Sequence, residues 1–564
     1  MLQPAQGILV DRERNVTFHY NGKLVESWPG QTVGAALYDA GIRVFSLSYR
    51  EGRPRGLFCM SGDCGNCLMQ VDGRPNVRVC VEPVRQGMQV KHQHAWPSLG
   101  FDVSWLLGYA FKSFRRPLQA PLIANPERFP TENLAVDVCV IGGGPAGLAA
   151  VDQVAGTGLQ VMLIERLPRL GGHLLFDSKE LGELEPYIES LRERPNVQIM
   201  TDTTVFELSA LKQVSAWAGD RIVKIQATQV IVCTGGRERR FVFHNNDLPG
   251  VMLCRGVQRL GRLYGVSPGR SAVVVTDHDE GARMAEGLAA FGVEVAAVVD
   301  PRAANLGKHF GRGWASQTMA SFSADGDASR GWRLLTQTIV LEAIGEKRVQ
   351  GIKVAQRNAD GSIAARSMKD IDCDLICIAS RPFPANELAV QAGVRYLMKD
   401  GQWHMTRSVP GVYVAGAASG TPDVNSQVLE GRLRGAEAAA LLGRPVAGLE
   451  RFRKEWEKAA TEPRSEPARE LMPYVDKEAV NRYVCNCADV TQAEIELALV
   501  EGAESYDAVK QRTKVTQGAC AGKMCDAACL EICARHGREP AAPPDRQPGA
   551  LGTEKFSMPR VHEE

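Results

Sequence analysis

The sequence predicts a multidomain α/β chain: a nucleotide-binding body between two cysteine-rich modules. Three observations carry this. Residues 136–141 form an apolar run broken only by Asp137, and they lead into Gly142, Gly144 and Gly147 with G-x-G-x-x-G spacing. Near one end of the chain stand Cys59, Cys64, Cys67 and Cys80. Near the other stand Cys485, Cys487, Cys520 and Cys525.

Length and composition frame these motifs. At 564 residues the chain has room for several domains of ~150 residues each. With 44% hydrophobic residues, 23% charged residues and a formal net charge of +1, bulk charge argues against a nucleic-acid or membrane-surface role. No long apolar run predicts a membrane span, and residues 1–15 lack the apolar core of a signal peptide, so a cytoplasmic protein is expected. Of the 15 cysteines, four lie in 59–80 and six in 485–533. In a reducing compartment such clusters point to metal or redox centres rather than disulfides.

Residues 8–92 read as a small β-rich domain. Residues 16–20 and 23–27 alternate around Asn21-Gly22, a hairpin signal, and 32–40 has a helical pattern. Cys59-x4-Cys64-x2-Cys67, with Cys80 after twelve more residues, is the plant-type [2Fe–2S] spacing. Three thiolates on one glycine-rich loop wrap a cluster, and a strand over 77–81 brings the fourth. A zinc site would call for a second knuckle pair, which is missing here. The domain resembles the β-grasp [2Fe–2S] ferredoxin domains of amine-oxidising flavoenzyme complexes. Residues 93–134 read as a connector whose Trp96, Trp105, Tyr109 and Phe111 pack on neighbouring domains.

The body follows, with 135–245 and 385–445 as one dinucleotide-binding domain. Gly142, Gly144, Pro145, Ala146 and Gly147 open a helix, and a second apolar run ends in Glu165, 18 residues after Gly147. The glycines let a pyrophosphate approach, the helix N-terminus offers free N–H groups, and the acid accepts from ribose hydroxyls. Arg166, the paired glycines ending at Gly172, and His173 resemble the second nucleotide contact of two-dinucleotide-binding-domain flavoproteins. Thr234-Gly235-Gly236-Arg237 resembles the crossing element of that superfamily. The stretch 406–416 resembles its C-terminal flavin-contact motif, except that Gly416-Ala417 stands where Gly-Asp is usual.

Residues 246–384 read as a second nucleotide-binding-like domain, with strand 271–276, helix 280–291 and strand 293–299. Its turn carries Asp277, Asp279 and Glu280 in place of glycines, acids that would repel a pyrophosphate. A degenerate, structural domain is therefore expected, with no catalytic role for His278. Cys139, Cys233, Cys254, Cys373 and Cys377 read as core thiols, the first three isolated.

Residues 446–483 form a charged helical connector, 484–535 a cysteine-rich domain and 536–564 a polar tail. Within 484–535, residues 491–501 and 506–512 read as helices, the first with a Thr491/Glu494 capping box. Cys485-x-Cys487 and Cys520-x4-Cys525 resemble the bacterioferritin-associated-ferredoxin-like [2Fe–2S] domains, with tetrahedral zinc the alternative for four thiolates. Cys529 and Cys533 continue from Cys525 at helical spacing and read as packed thiols.

Taken together, the order of modules resembles the α-type subunits of heteromeric amine and amino-acid dehydrogenases, the hydrogen cyanide synthase, opine oxidase and sarcosine oxidase group, with a fused N-terminal ferredoxin-like domain. The resemblance implies one or two [2Fe–2S] clusters, FAD or NAD in the first dinucleotide site, FMN at a subunit interface, and ATP, ADP or NAD as an adenine nucleotide in the second domain. It implies a β subunit of the glycine/D-amino-acid oxidase type that carries FAD and oxidises the C–N bond, and a downstream electron acceptor. This chain would then be the electron-transfer subunit, with no catalytic side chain of its own. The alternative is a self-contained NAD(P)H-dependent FAD reductase of the ferredoxin type.

Overall fold

Asn21 and Gly22 turn the first hairpin with φ of 51° and 81°, the left-handed pair that matches strand twist. They join Val16–Tyr20 to Lys23–Ser27 in antiparallel register from Val16↔Ser27 to Tyr20↔Lys23. The computed structural model describes residues 7–48, 50–95, 98–102, 129–176, 178–278, 280–289, 291–302, 332–358, 362–399, 402–421, 423–461 and 481–538. Trp96, Trp105, Tyr109 and Phe111 of the connector, Asp279, and most of the tail lie outside these residues. The described chain divides into two compact units, one of Met1–Ile123, Glu238–Arg381 and Ser465–Ala541, the other of Ala124–Arg237, Pro382–Arg464 and Ala542–Glu564.

The first unit contains three modules. The N-terminal one is a five-stranded sheet in the order Lys23–Ser27, Val16–Tyr20, Gln89–Lys91, Leu68–Val71, Arg74–Arg78. Its helix, Val33–Asp39, is capped by the Thr32 hydroxyl, which accepts from the Ala35 N–H at 3.2 Å. The strand expected over 77–81 ends at Arg78, so Cys80 sits in a turn. That turn is held by the helix, where the Gly34 N–H donates to the Val79 carbonyl at 2.7 Å.

The middle module is a parallel sheet in the order Val251–Leu253, Leu375–Ala379, Ser271–Thr276, Glu294–Val299, Arg333–Leu335. Every residue of Leu375–Ala379 is buried, as a strand covered on both faces requires. The expected strand–helix–strand is present as Ser271–Thr276, Glu280–Ala289 and Glu294–Val299. The C-terminal module has a short hairpin, Tyr483–Cys485 with Val490–Thr491, and helices Gln492–Val500, Tyr506–Thr513 and Asp526–Arg535. The Thr491/Glu494 capping box forms in both directions. One apolar core runs through all three modules, including Phe58, Cys59 and Cys64, then Phe241, Val273 and Ile376, then Cys520 and Met524.

In the second unit, Thr131–Ile141 is the central parallel strand, flanked by Val161–Ile164 and Ile222–Val232. It starts inside the stretch read as connector, because its first residues pair with Ile222–Val232 from Thr131 onward. Phe129, just ahead of it, packs edge-on against Trp217 with ring centroids 4.5 Å apart. Val197–Met200 and Val412–Val414 extend the parallel portion. Helices Pro145–Ala155 and Val424–Leu441 lie backbone to backbone. A Cβ on Gly431 would stand 2.1 Å from the Ala146 carbonyl oxygen, and one on Gly435 would stand 2.7 Å from that of Ala150. Only glycine permits this approach. Among the described residues no helix is long and apolar enough to cross a membrane.

Candidate functional site

The N-terminal cysteines converge. Cys59, Cys64, Cys67 and Cys80 are all buried. Cys59 Sγ lies 3.2 Å from Cys64 Sγ and also meets Cys80, which in turn meets Cys67. The hydrogen bonds from Cys64 and Cys80 hold the Cys59 thiol well below its usual range, while the same bond pushes Cys64 well above it. The loop takes left-handed φ at Met60 (51°) and Gly62 (73°), which folds the three nearby thiols to one side. The middle module grips it from behind. The Leu253 N–H donates to the Phe58 carbonyl at 3.0 Å, and a Cβ on Gly256 would come within 2.8 Å of that oxygen.

The C-terminal cysteines form a closed ring of sulfur contacts. Cys485 and Cys520 each meet both Cys487 and Cys525. Those bonds lower the thiols of Cys485 and Cys520 and raise those of Cys487 and Cys525. Cys529 and Cys533 lie farther along the Asp526–Arg535 helix, buried and in contact with each other. In both sets the sulfurs are drawn together, and among the described residues no group of three or more His, Cys, Asp or Glu is spaced to hold a metal ion. What fits iron–sulfur is the donor chemistry: four thiols per set, all buried except the half-buried Cys487, on loops and turns whose glycines leave backbone close to the sulfur.

The two sets abut. A Cβ on Gly65 would lie 3.1 Å from Cys487 Sγ and 3.1 Å from Ala519 Cβ, and one on Gly518 would lie 2.2 Å from Cys487 Cβ. Arg78 Nη2 donates to the Ala519 carbonyl at 2.8 Å, and Lys523 Nζ stands 3.9 Å from Asp63. Behind the contact a buried ion network joins all three modules. Arg53 donates to Asp247 at 2.6 and 2.7 Å, and Arg55 bridges Asp247 to Asp489, the latter at 2.6 Å. Burial would raise the Asp247 carboxyl, but the guanidinium groups of Arg55 and Arg53 outweigh it and hold that carboxyl below its usual range. Nothing in local sequence pairs Arg55 with Asp247 and Asp489.

The nucleotide motif also has a distinct geometry. A Cβ on Gly147 would strike the Gly142 carbonyl oxygen at 1.9 Å, and one on Gly142 (φ 107°) would strike that of Cys233 at 2.3 Å. Those two glycines are demanded by the turn. Gly144 is different: the nearest atom a Cβ would meet is Gly172 Cα at 4.0 Å, so the space above it is open. Gly144 is the N-cap of Pro145–Ala155, with no side chain closing the helix end. The cradle therefore suits a phosphate. Glu165 is buried at the end of its strand, and its carboxylate accepts from the Gly143 N–H at 2.7 Å and the Leu167 N–H at 2.9 Å. It organises the glycine loop directly. Arg166 is exposed beside it, and His173 sits half-buried in the 3₁₀ turn Gly172–Phe176.

The Thr234 hydroxyl donates to the Ala385 carbonyl at 2.6 Å, and the Gly235 carbonyl accepts from the Ala385 N–H at 3.0 Å, so this element ties two parts of the unit together. Gly416 (φ 74°) packs against Ala146 and opens a 3₁₀ turn with Ala417. Glu430, not singled out in the sequence, buries its carboxylate there and accepts from the Gly416 N–H, Ser419 and Thr421 at 2.8, 2.6 and 2.7 Å.

Two expectations about the middle module change. Asp277 is buried and balanced. It pairs with Arg239 at 3.1 Å, meets His278 at 3.1 Å, and accepts from the Arg381 N–H at 2.7 Å. Its charge is neutralised within the module instead of being presented to a ligand. Cys254 is not isolated, because its thiol meets that of Cys377 on the neighbouring strand.

Comparison with known proteins assigns the parts. A model described as a pyridine nucleotide-disulphide oxidoreductase matches residues 136–440. The chain belongs to the pyridine nucleotide-disulphide oxidoreductase family. Flanking this oxidoreductase body, a 2Fe-2S iron-sulfur cluster binding domain matches residues 13–95, and a BFD-like [2Fe-2S] binding domain matches 483–535. The second match identifies residues 483–535 as a [2Fe-2S] rather than a zinc domain.

This member of the oxidoreductase family is 27% identical over 585 residues to sarcosine oxidase subunit alpha of Rhizobium meliloti (strain 1021), covering 94% of this chain and 56% of that one. The chain thus spans about half the length of the sarcosine oxidase relatives it matches. It is 26% identical over 443 residues to hydrogen cyanide synthase subunit HcnB of Pseudomonas protegens, covering 71% of this chain and 92% of that subunit. Among solved structures, L-proline dehydrogenase from P. horikoshii shares the fold, with a TM-score of 0.69 at 21% identity over 94% of both chains. The module order is that of α-type subunits of this group.

Proposed function

We propose that this chain is the electron-transfer subunit of a multi-subunit flavoenzyme that oxidises the C–N bond of an amine or amino acid of the opine, sarcosine, proline or glycine class. The observation that carries the reading is the Gly65–Cys487 contact, which sets two four-thiol sites against each other in one core. Bound [2Fe–2S] centres supply one-electron carriers. The names of the relatives support amine oxidation and a multi-subunit assembly.

In this reading the chain's own residues have three tasks. Cys59, Cys64, Cys67 and Cys80 hold one centre, and Cys485, Cys487, Cys520 and Cys525 the other. The open space over Gly144 and the uncapped helix at Pro145 receive the phosphates of FAD or NAD. The shared apolar core keeps water from the sulfur. Substrate oxidation belongs to a partner β subunit of the glycine/D-amino-acid oxidase type carrying FAD, with FMN at the interface between subunits and electrons passing onward to a separate acceptor. The middle module is structural or holds an adenine nucleotide, and does not serve NAD(P)H oxidation.

Co-purification with the β-type partner tests this. The complex is expected to reduce a dye with an amine donor and to yield iron, sulfide, FMN and a dinucleotide on denaturation. The chain alone is expected to do neither amine oxidation nor rapid NAD(P)H oxidation. Vigorous NAD(P)H-to-dye activity of the isolated chain would overturn the assignment in favour of a self-contained reductase.

A further inference from the structure

Arg240 is a buried cation between the two sulfur sets. The residue is 4% exposed. Its Nη1 reaches the carbonyl of Val484, the neighbour of Cys485, at 3.5 Å. Its guanidinium carbon stands 5.5 Å from the ring centroid of Phe58, the neighbour of Cys59. Met524, the neighbour of Cys525, lines the same small recess. Nε and Nη2 have no hydrogen-bond partner.

An unpaired buried guanidinium is expensive to desolvate, so its retention calls for an anion. The nearby carboxylates are already committed. Asp247 belongs to Arg53 and Arg55, and Glu531, on the edge of the recess, pairs with Arg535 at 2.7 Å. The negative charge left is that of the C-terminal thiols. Burial lowers the proton affinity of Arg240, while Cys485, Asp247 and Cys525 act in the opposite sense.

We propose that Arg240 is the counter-cation of the C-terminal set and raises the reduction potential of the [2Fe–2S] centre held by Cys485, Cys487, Cys520 and Cys525. A four-thiolate centre gains one negative charge on reduction. A fixed cation inside a water-excluded core therefore favours the reduced form over the oxidised one. The N-terminal centre feels the same charge less, since Arg240 approaches that set only through the Phe58 ring. This rests on the iron–sulfur assignment and not on the identity of the oxidised amine, so a potential measured on the full chain is separable from amine-dependent dye reduction by the complex.

The test is an EPR-monitored redox titration of the full chain with both centres loaded, comparing wild type with Arg240→Met and Arg240→Lys. A Cys520→Ser chain identifies which signal is which. In Arg240→Met, iron and sulfide content are expected to stay at the wild-type level while the C-terminal midpoint moves to more negative potential. The N-terminal midpoint moves less, and Arg240→Lys stays nearer wild type. An unmoved C-terminal midpoint at full cluster content overturns the proposal, as does a lysine variant displaced as far as the methionine one. Should Arg240→Met fail to accumulate, Arg240→His makes the charge titratable. Its C-terminal midpoint is then expected to fall with rising pH more steeply than in wild type, and a profile superimposed on the wild-type one overturns the proposal.

Discussion

Cys487 Sγ rests on the backbone of Gly65, so close that a single added carbon would lie 3.1 Å from the sulfur. A thiol of one four-cysteine set thus packs directly on the loop that carries the other. Gly65→Ala should be tolerated with a small loss. Gly65→Val overpacks the contact and should cost about 1–3 kcal/mol, with iron lost first from the C-terminal set. Iron and sulfide assays with thermal melts check this. A valine variant with wild-type iron content and Tm would contradict the contact.

Asp247 should be among the most sensitive charged positions. Its side chain is fully buried between Arg53 and Arg55. Asp247→Asn leaves buried guanidinium charge uncompensated, with an expected loss of about 3–5 kcal/mol near neutral pH. Because the folded-state carboxyl is held below its unfolded value, its stabilisation is complete above about pH 4 and fades as the pH falls through the depressed folded value. The gap between wild type and Asp247→Asn in urea midpoints should therefore narrow in acid. A gap independent of pH would argue against the ion network.

Glu238 should behave in the opposite sense. One of its oxygens accepts from the Arg255 N–H at 2.9 Å, and the other is buried without a partner. Burial pushes its carboxyl up to about 7 despite Arg255 nearby. With the folded value above the unfolded one, stability is fully present below the ordinary glutamate value and is lost as pH rises through about 7. Glu238→Gln should leave acid stability unchanged and add on the order of 3 kcal/mol above neutrality. Denaturation curves at acid and alkaline pH separate the two regimes.

Two glycines of one motif should respond differently. Gly147→Ala would drive a carbon into the Gly142 carbonyl and should abolish accumulation of folded protein. Gly144→Ala meets no atom closer than 4.0 Å and should fold with an unchanged Tm, yet release less dinucleotide when denatured. Equal nucleotide content in Gly144→Ala and wild type would move the nucleotide elsewhere.

Features set by neighbours in sequence were readable in advance. The Asn21-Gly22 hairpin, the Ser271–Thr276 strand and the Thr491 capping box lie where turn chemistry, a continuous apolar run and cap residues place them. The convergence of each cysteine set was equally legible, because thiols on one loop are close along the chain. What escaped depends on distant segments. Arg55 and Asp489 are 434 positions apart, and Gly65 meets Cys487 only because three modules share one core. Asp277 looked like a repelling charge until its partner Arg239 was in place. A strand over 77–81 is the expectation for Cys80, but the Gly34 N–H of the Val33–Asp39 helix donates to the Val79 carbonyl in place of a ladder partner.

The wall over Gly65 has a consequence for the order of biosynthesis. The thiols of Cys59, Cys64, Cys67 and Cys80 leave the ribosome early, while Cys487 and Ala519, which cover their loop, are made some four hundred residues later. The side of that loop at Gly65 therefore stays uncovered until the C-terminal module is made, although the middle module packs on its other side first. The C-terminal module covers that side when it docks, so a segment translated later acts as the seal on a site formed earlier.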